Sequence, residues 1–311
     1  MQQIDLFGNP VDVFKSAKAR YGVWPVTVWP IDSSDKYTKE LKTLIGDDPN
    51  DLLANCSGEA TQSRTNSNTA QRSGSKIYSS PNAPGQTTHT SIFNPAVAAW
   101  LLNCYAPDGG VCLDPFAGGG TRAIMAAKHG LEYIGLEIRP EEVAAVRRRC
   151  DMLGAQATII EDDARNCGTY GPASFCLTCP PYYDLEMYSG GGADLSMLPT
   201  YKDFLDAIYD VVAGTRDALI PGATSCWVIG LHRSKDGGLL PLHHDVARIH
   251  RELGFLFREE IILHHANNGA IQRIGNFDKG HHRLVRVHEY ALIFTRPVSY
   301  THLTLPTIYS V

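Results

Sequence analysis

From about Ser91 to Pro297 the chain alternates short apolar runs with amphipathic stretches, and the first run passes into its helix through three consecutive glycines, Gly118–Gly120. That alternation narrows the fold more than any other feature of the sequence. Runs at Val111–Phe116, Tyr133–Ile138, Ala157–Ile160, Ser174–Thr178 and Thr224–Gly230 predict strands. Helices are expected at Pro95–Tyr105, Thr121–Gly130, Pro140–Gly154, Tyr201–Ala218 and Leu240–Gly254. Proline at a first helical position costs no hydrogen bond, and glycine just past a helix end takes a left-handed cap, so Pro140, Gly130 and Gly154 mark boundaries. Phe257–His265 and His288–Thr295 follow with no long helix between them, as a closing strand pair would. The expected class is α/β, with seven strands in a mostly parallel sheet and helices on both faces.

The flanks differ in composition. Residues 1–45 mix aromatic and apolar residues (Phe14, Tyr21, Trp24, Trp29) with polar ones and read as an accessory segment. Residues 46–90 are rich in Ser, Thr, Asn, Gln and Gly, which predicts a flexible linker or a long loop. Residues 298–311 carry no helix or strand period and resemble translated sequencing-adapter read-through; they are expected to be a non-native tail outside the catalytic unit, 91–297.

With 43% hydrophobic and 20% charged residues, the composition is that of an ordinary globular protein rather than a disordered or membrane-spanning one. The sequence shows neither a membrane-length apolar run nor a signal-peptide layout, so a cytoplasmic location is expected. The eight cysteines then read as reduced thiols; Cys176 and Cys179 form a C-x-x-C, but no second pair stands at metal spacing, and no metal is expected. A net charge of −5 gives a polyanion no general attraction. Nucleic-acid affinity comes from the phosphates actually contacted, so local basic surface matters more. Arg273, Lys279, Arg283 and Arg286, with His281 and His282 among them, supply such a stretch, for which a solvated loop is the other reading.

Two segments carry chemistry. Asp114-Pro-Phe-Ala-Gly-Gly-Gly-Thr121 joins a strand to a helix; its glycines let backbone pass close beneath a ligand, and the helix N-terminus offers free N–H groups to a carboxylate. Glu137 ends the second strand, where it can accept from both hydroxyls of a ribose, and Asp162 and Asp163 end the third, where a carboxylate can accept from an adenine amino group. Three strand ends lining one crevice suit an adenosyl cofactor with an amino-acid tail. Thr178-Cys-Pro-Pro-Tyr-Tyr183 follows the fourth strand. Its two prolines hold an extended, rigid exit with exposed carbonyls, beside rings that can stack on a flat base.

Together these motifs resemble the DNA amino-methyltransferases of the N4-cytosine and N6-adenine type, and in particular phage- and prophage-type DNA methylases. Ser91-Ile-Phe-Asn-Pro95, Gly135-Leu-Glu137 and Asp162-Asp-Ala-Arg165 extend the likeness, which covers roughly residues 91–297 with a fainter echo at Tyr21–Trp29. The resemblance implies a Rossmann-like methyltransferase fold and S-adenosyl-L-methionine as cofactor. Its expected contacts are Phe93, Asn94, Asp114, Phe116, Ala117, Gly118, Gly120, Thr121, Glu137, Ile138, Asp162 and Asp163. Thr178, Cys179, Pro180, Pro181 and Tyr182 are the implied catalytic set, with Tyr183, Arg273, Lys279 and Arg283 on the DNA. The spacing leaves a target-recognition segment either after the catalytic motif or near the N-terminus; no obligate protein partner is evident.

Cys179 departs from the family, which places Asp, Asn or Ser before Pro-Pro-Tyr. A thiol accepts hydrogen bonds poorly, so the proline carbonyl or the Thr178 hydroxyl would have to do more. Among the family's residues serine is nearest in size to cysteine, which leans the expectation to cytosine N4 over adenine N6. Other readings stay open: an amino-methyltransferase of RNA or of protein glutamine, cytosine C5 chemistry with Cys179 as nucleophile, or a DNA-binding module that kept the fold without activity.

Overall fold

The computed structural model describes residues 93–185, 193–234, 237–265 and 286–298, together with 18–19, 21, 23, 26–31, 36–37, 39 and 284. Arg273, Lys279, Arg283, the segment 46–90 and the tail beyond residue 298 lie outside the described residues.

In chain order the main elements are β1 (Val28–Ile31), α1 (Pro95–Tyr105), β2 (Val111–Asp114), α2 (Thr121–His129), β3 (Glu132–Glu137), α3 (Pro140–Met152), β4 (Ala157–Glu161) and β5 (Ala173–Thr178). They continue with α4 (Tyr201–Ala218), β6 (Leu219–Ile229), the two-residue strands β7 (His232–Arg233) and β8 (Leu239–Leu240), α5 (Leu242–Glu252), β9 (Leu256–His265) and β10 (His288–Thr295). Eight strands form one sheet in the order β1-β9-β10-β6-β5-β2-β3-β4. Only β10 runs antiparallel to its neighbours. The chain winds outward from β2 through β3 to β4, then returns to place β5 and β6 on the other side of β2. Ligands of open α/β sheets sit outside the carboxyl ends of the strands at such a reversal.

The seven expected strands are present, and β1 is an eighth. Val28-Trp-Pro-Ile31 contains a proline, which cannot donate to a ladder and so reads as a strand breaker. At the edge of the sheet, paired in parallel only with β9, that missing donor is tolerated. Trp29 and Ile31 point inward and Val28 and Pro30 outward, so the N-terminal segment contributes both a strand and core. β6 starts at Leu219, five residues before the expected Thr224. A register shift between Ala173 and Phe175 of β5 accommodates the extra length.

Both faces of the sheet are covered. Cys226, Val228, Ala291 and Ile293 face the core built with α1, α2 and α3, whereas Trp227, Ile229, Leu292 and Phe294 face the core built with α4 and α5. The period of two along β6 and β10 thus feeds two cores, which is why these strands read as nearly continuous apolar runs. The helix boundaries follow local chemistry. Asn94 caps α1 through Oδ1, which accepts from the amides of Ala96 and Val97 at 2.8 and 3.2 Å. α4 opens on a capping box between Thr200 and Asp203. α3 starts on Pro140 with Glu141 and Glu142 in its first turn.

Candidate active site

A cavity lies across the carboxyl ends of β2, β3, β5 and β6, and its walls gather most of the residues singled out in the sequence. Phe93 and Asn94 line it from the α1 side, residues 115–122 from the glycine turn, and Glu137 and Ile138 from the end of β3. Asp162 and Ala164 close the far side, and Cys179, Pro180, Pro181 and Tyr182 form the wall after β5.

The turn is held from beneath by Asp114, which is fully buried and takes four donors. Oδ1 accepts from the Phe116 amide at 3.0 Å and the Thr178 hydroxyl at 2.6 Å; Oδ2 accepts from Arg122 Nε at 2.5 Å and the Tyr133 hydroxyl at 2.7 Å. Burial alone would lower the Arg122 pKa, but Asp114 beside it raises it well above the ordinary value. Burial together with Asp114 likewise pushes the Tyr133 phenol far up, so it remains a donor. Asp114 and Thr178 therefore lock the β2 and β5 exits to each other and do not line the cavity. Above them Gly118 and Gly120 take positive φ, 52° and 83°. A Cβ on Gly120 would sit 2.6 Å from Val146, so glycine is required for the turn to lie against α3, while a Cβ on Gly118 would meet nothing closer than 3.8 Å. α2 begins with no side-chain cap, so the free amides of its first turn have no partner from the N-cap residue.

The acids at the strand ends divide. Glu137 is buried at the end of β3, and its Oε1 accepts from the amide and Nε of Arg139, both at 3.0 Å, while Oε2 keeps no partner among the described residues. Asp162 lines the cavity with both oxygens engaged: Oδ1 accepts from the Asp163 amide and Asn166, and Oδ2 from the Tyr170 hydroxyl at 2.6 Å. Burial would raise the Asp162 carboxyl, but the hydrogen bonds from Tyr170, Asn166 and the Asp163 amide outweigh it and hold the pKa below its usual value. Asp163 turns away, capping the next 3-10 turn and pairing with Arg165.

Past Thr178, Cys179 Sγ lies 3.3 Å from the Tyr182 hydroxyl. The Tyr182 ring packs over Gly230, where a Cβ would come within 2.3 Å of it. The chain then reverses at Tyr183, whose φ of 59° is the one positive value at a non-glycine among the described residues. That reversal sends successive rings in opposite directions. Tyr182 lines the cavity, and Tyr183 packs against Tyr201 and Phe204 with its hydroxyl donating to the Pro199 carbonyl at 3.2 Å.

Several lining residues lie outside the sequence motifs. Arg139 and Arg122 are buried cations at the wall; Arg122 also lies 4.7 Å over the Phe93 ring. Ile31, Val228 and Leu263 bring apolar surface from β1, β6 and β9, and His265 pairs with Glu289 at 3.3 Å across the β9 and β10 ends. Asp194, in the loop before α4, is 5% exposed and also lines the cavity. Arg139 alone had a local cue, standing two residues after Glu137. Among the described residues no three His, Cys, Asp or Glu side chains are grouped for a metal, and no helix is long and apolar enough to cross a membrane.

Residues 4–148 match the family model described as DNA methylase, a span that holds β1 and the glycine turn and ends before the Pro-Pro-Tyr segment. A stretch of 56 residues is 39% identical to the type II methyltransferase M.ScaI of Streptomyces caespitosus; it is 18% of this chain and spans 18% of that protein's length. Among solved structures, TrmN from Thermus thermophilus is similar at 16% identity and a TM-score of 0.46, over 65% of this chain and 48% of that one. A methyltransferase from Pyrococcus furiosus is similar at 15% identity and a TM-score of 0.45, over 77% and 99%.

Proposed function

We propose that the protein is an S-adenosylmethionine-dependent methyltransferase acting on the exocyclic amino group of a DNA base, with cytosine N4 the favoured target. The observation that carries this reading is a single cavity lined at once by the uncapped glycine turn, by Glu137 and Asp162 at two strand ends, and by Cys179–Tyr182. The residues present fit the cofactor. Among the described residues Thr121 Oγ1, buried at the wall, has no partner, a Cβ on Gly118 would meet only the Phe116 carbonyl oxygen, at 3.8 Å, and Glu137 keeps one oxygen unengaged. The turn and the α2 N-terminus would hold the amino-acid tail, and Glu137 the ribose. When bound, S-adenosylmethionine supplies a methyl group activated by a sulfonium.

The chain's own residues do the rest by positioning. Tyr182 offers the face on which an extruded base stacks, offsetting part of the few kcal/mol that extrusion costs. The lone pair of a base amine is conjugated with its ring, so acceptors on the amine hydrogens must draw the nitrogen towards tetrahedral geometry. The rigid Pro180 and Pro181 exit presents backbone carbonyls for this. Thr178 works indirectly, since its hydroxyl already donates to Asp114. Cys179 stands where a serine would fit with little change of volume, which supports cytosine N4; adenine N6 is the outcome that would redirect the assignment.

Calorimetry with S-adenosylmethionine tests the placement. The unsubstituted protein should bind it, Gly118→Val should abolish binding in a protein that still folds with a lowered thermal midpoint, because φ at residue 118 is positive, and Glu137→Ala should weaken binding by about 1–3 kcal/mol. A folded Gly118→Val variant with unchanged affinity would refute this placement.

A further inference from the structure

Asp194 is the one carboxylate among the described residues that has an oxygen both buried and without a partner. Its Oδ1 is engaged, accepting from the Ser196 amide at 2.9 Å and the Ser196 hydroxyl at 2.7 Å, which fixes the side chain in one orientation. Oδ2 receives nothing from the described residues. Leaving a charged acceptor dry and unpaired is costly unless something else supplies the donor. The residue lines the same cavity as the glycine turn and Cys179–Tyr182. Of the other acids there, Asp162 has donors on both oxygens, Glu289 faces His265, and Glu137 also keeps one oxygen unengaged, but that oxygen is not enclosed as Asp194 Oδ2 is.

We infer that Asp194 is a recognition carboxylate whose Oδ2 accepts a hydrogen bond from an amino group of a bound ligand. This rests on the methyltransferase reading, which offers two such groups to the cavity: the exocyclic amine of the target base and the ammonium of the cofactor's amino-acid tail. The chemistry is the same for both, an N–H donor in need of an acceptor. The local chemistry creates the vacancy, because Cys179 is a weak acceptor and the Thr178 hydroxyl is committed to Asp114. Asp194 is fixed by its own turn before any ligand arrives, so little ordering is needed on binding.

Asp194→Asn keeps an oxygen for the Ser196 donors and turns the other position into an N–H donor, so the fold should survive while recognition is reversed. The variant is compared with the unsubstituted protein for affinity towards S-adenosylmethionine, affinity towards 5′-methylthioadenosine (which lacks the amino-acid tail), turnover on DNA and thermal midpoint. If the base amine is the donor, turnover falls at least tenfold and both affinities stay within twofold. If the cofactor ammonium is the donor, S-adenosylmethionine affinity falls at least tenfold and 5′-methylthioadenosine affinity does not. Ser196→Ala, which removes one donor to Oδ1 and leaves the carboxylate in place, should keep every quantity within threefold. The inference is overturned if turnover and both affinities stay within twofold in Asp194→Asn. It is also overturned if all fall together with the thermal midpoint, or if Ser196→Ala reproduces the loss. An unsubstituted protein that binds no S-adenosylmethionine would refute the methyltransferase reading, and this inference with it.

Discussion

Asp114 and Asp194 are both buried aspartates, one beneath the cavity and one at its wall, and their surroundings are opposite. Asp114 takes four donors from four different residues and does not line the cavity. Asp194 has one oxygen engaged and one unpartnered, and it does line the cavity. The first arrangement is architectural: the charge is fully compensated from within the chain and ties the ends of β2, β5 and α2 together. The second leaves a demand that only something arriving in the cavity can meet. A buried carboxylate alone therefore says little about function; the count of its donors says more.

That contrast can be broken most easily at Asp114. Asp114→Ala leaves Arg122 buried without its partner and orphans two hydroxyls, and it should cost about 3–5 kcal/mol of stability in chemical denaturation. Asp194→Asn should shift the same transition hardly at all. Equal losses from the two substitutions would end the distinction.

A third buried group sharpens it. His250 packs against Phe294 and Trp227, its Nδ1 donates to the Val246 carbonyl at 2.8 Å, and its Nε2 has no partner among the described residues, yet it lies away from the cavity. An unpartnered atom there has no ligand to await, and its signature should be in stability. Burial pushes its pKa down to about 3 from 6.5. The folded state thus resists a proton that the unfolded chain accepts, so stability is complete above about pH 6.5 and falls as the pH drops towards 3. The expected slope is about 1.4 kcal/mol per pH unit within that window. His250→Leu should flatten that dependence in urea titrations between pH 6.5 and 4; an unaltered slope in the leucine variant would assign the acid lability elsewhere.

Much of the fold was legible because its signals are local. Pro140, Gly130, Gly154 and the glycine turn each mark a boundary by their own backbone chemistry, and the apolar runs of β2, β5, β6 and β10 announce strands covered on both faces. β1 was not, since Pro30 argues against a strand and only pairing at the edge with β9 rescues it. The cavity was legible for the same reason as the turn: strand ends and their exits are sequence-local. Whether a residue at such an end turns inward or outward is not. Asp114 and Thr178 stood in the expected positions and meet each other beneath the cavity, and Tyr183 left the wall because φ at that one residue reverses the chain. Asp194 and the His265–Glu289 pair reach the cavity through tertiary placement, which no short motif records.

The central claim is methyl transfer to an exocyclic amine of DNA, and the product tests it most directly. Unmethylated DNA incubated with the protein and methyl-labelled S-adenosylmethionine, then digested to nucleosides and resolved by mass spectrometry, should yield labelled N4-methylcytosine. N6-methyladenine would keep the amino-transfer account and move its target. Labelled 5-methylcytosine, or no labelled nucleoside from a protein that binds the cofactor, would contradict it.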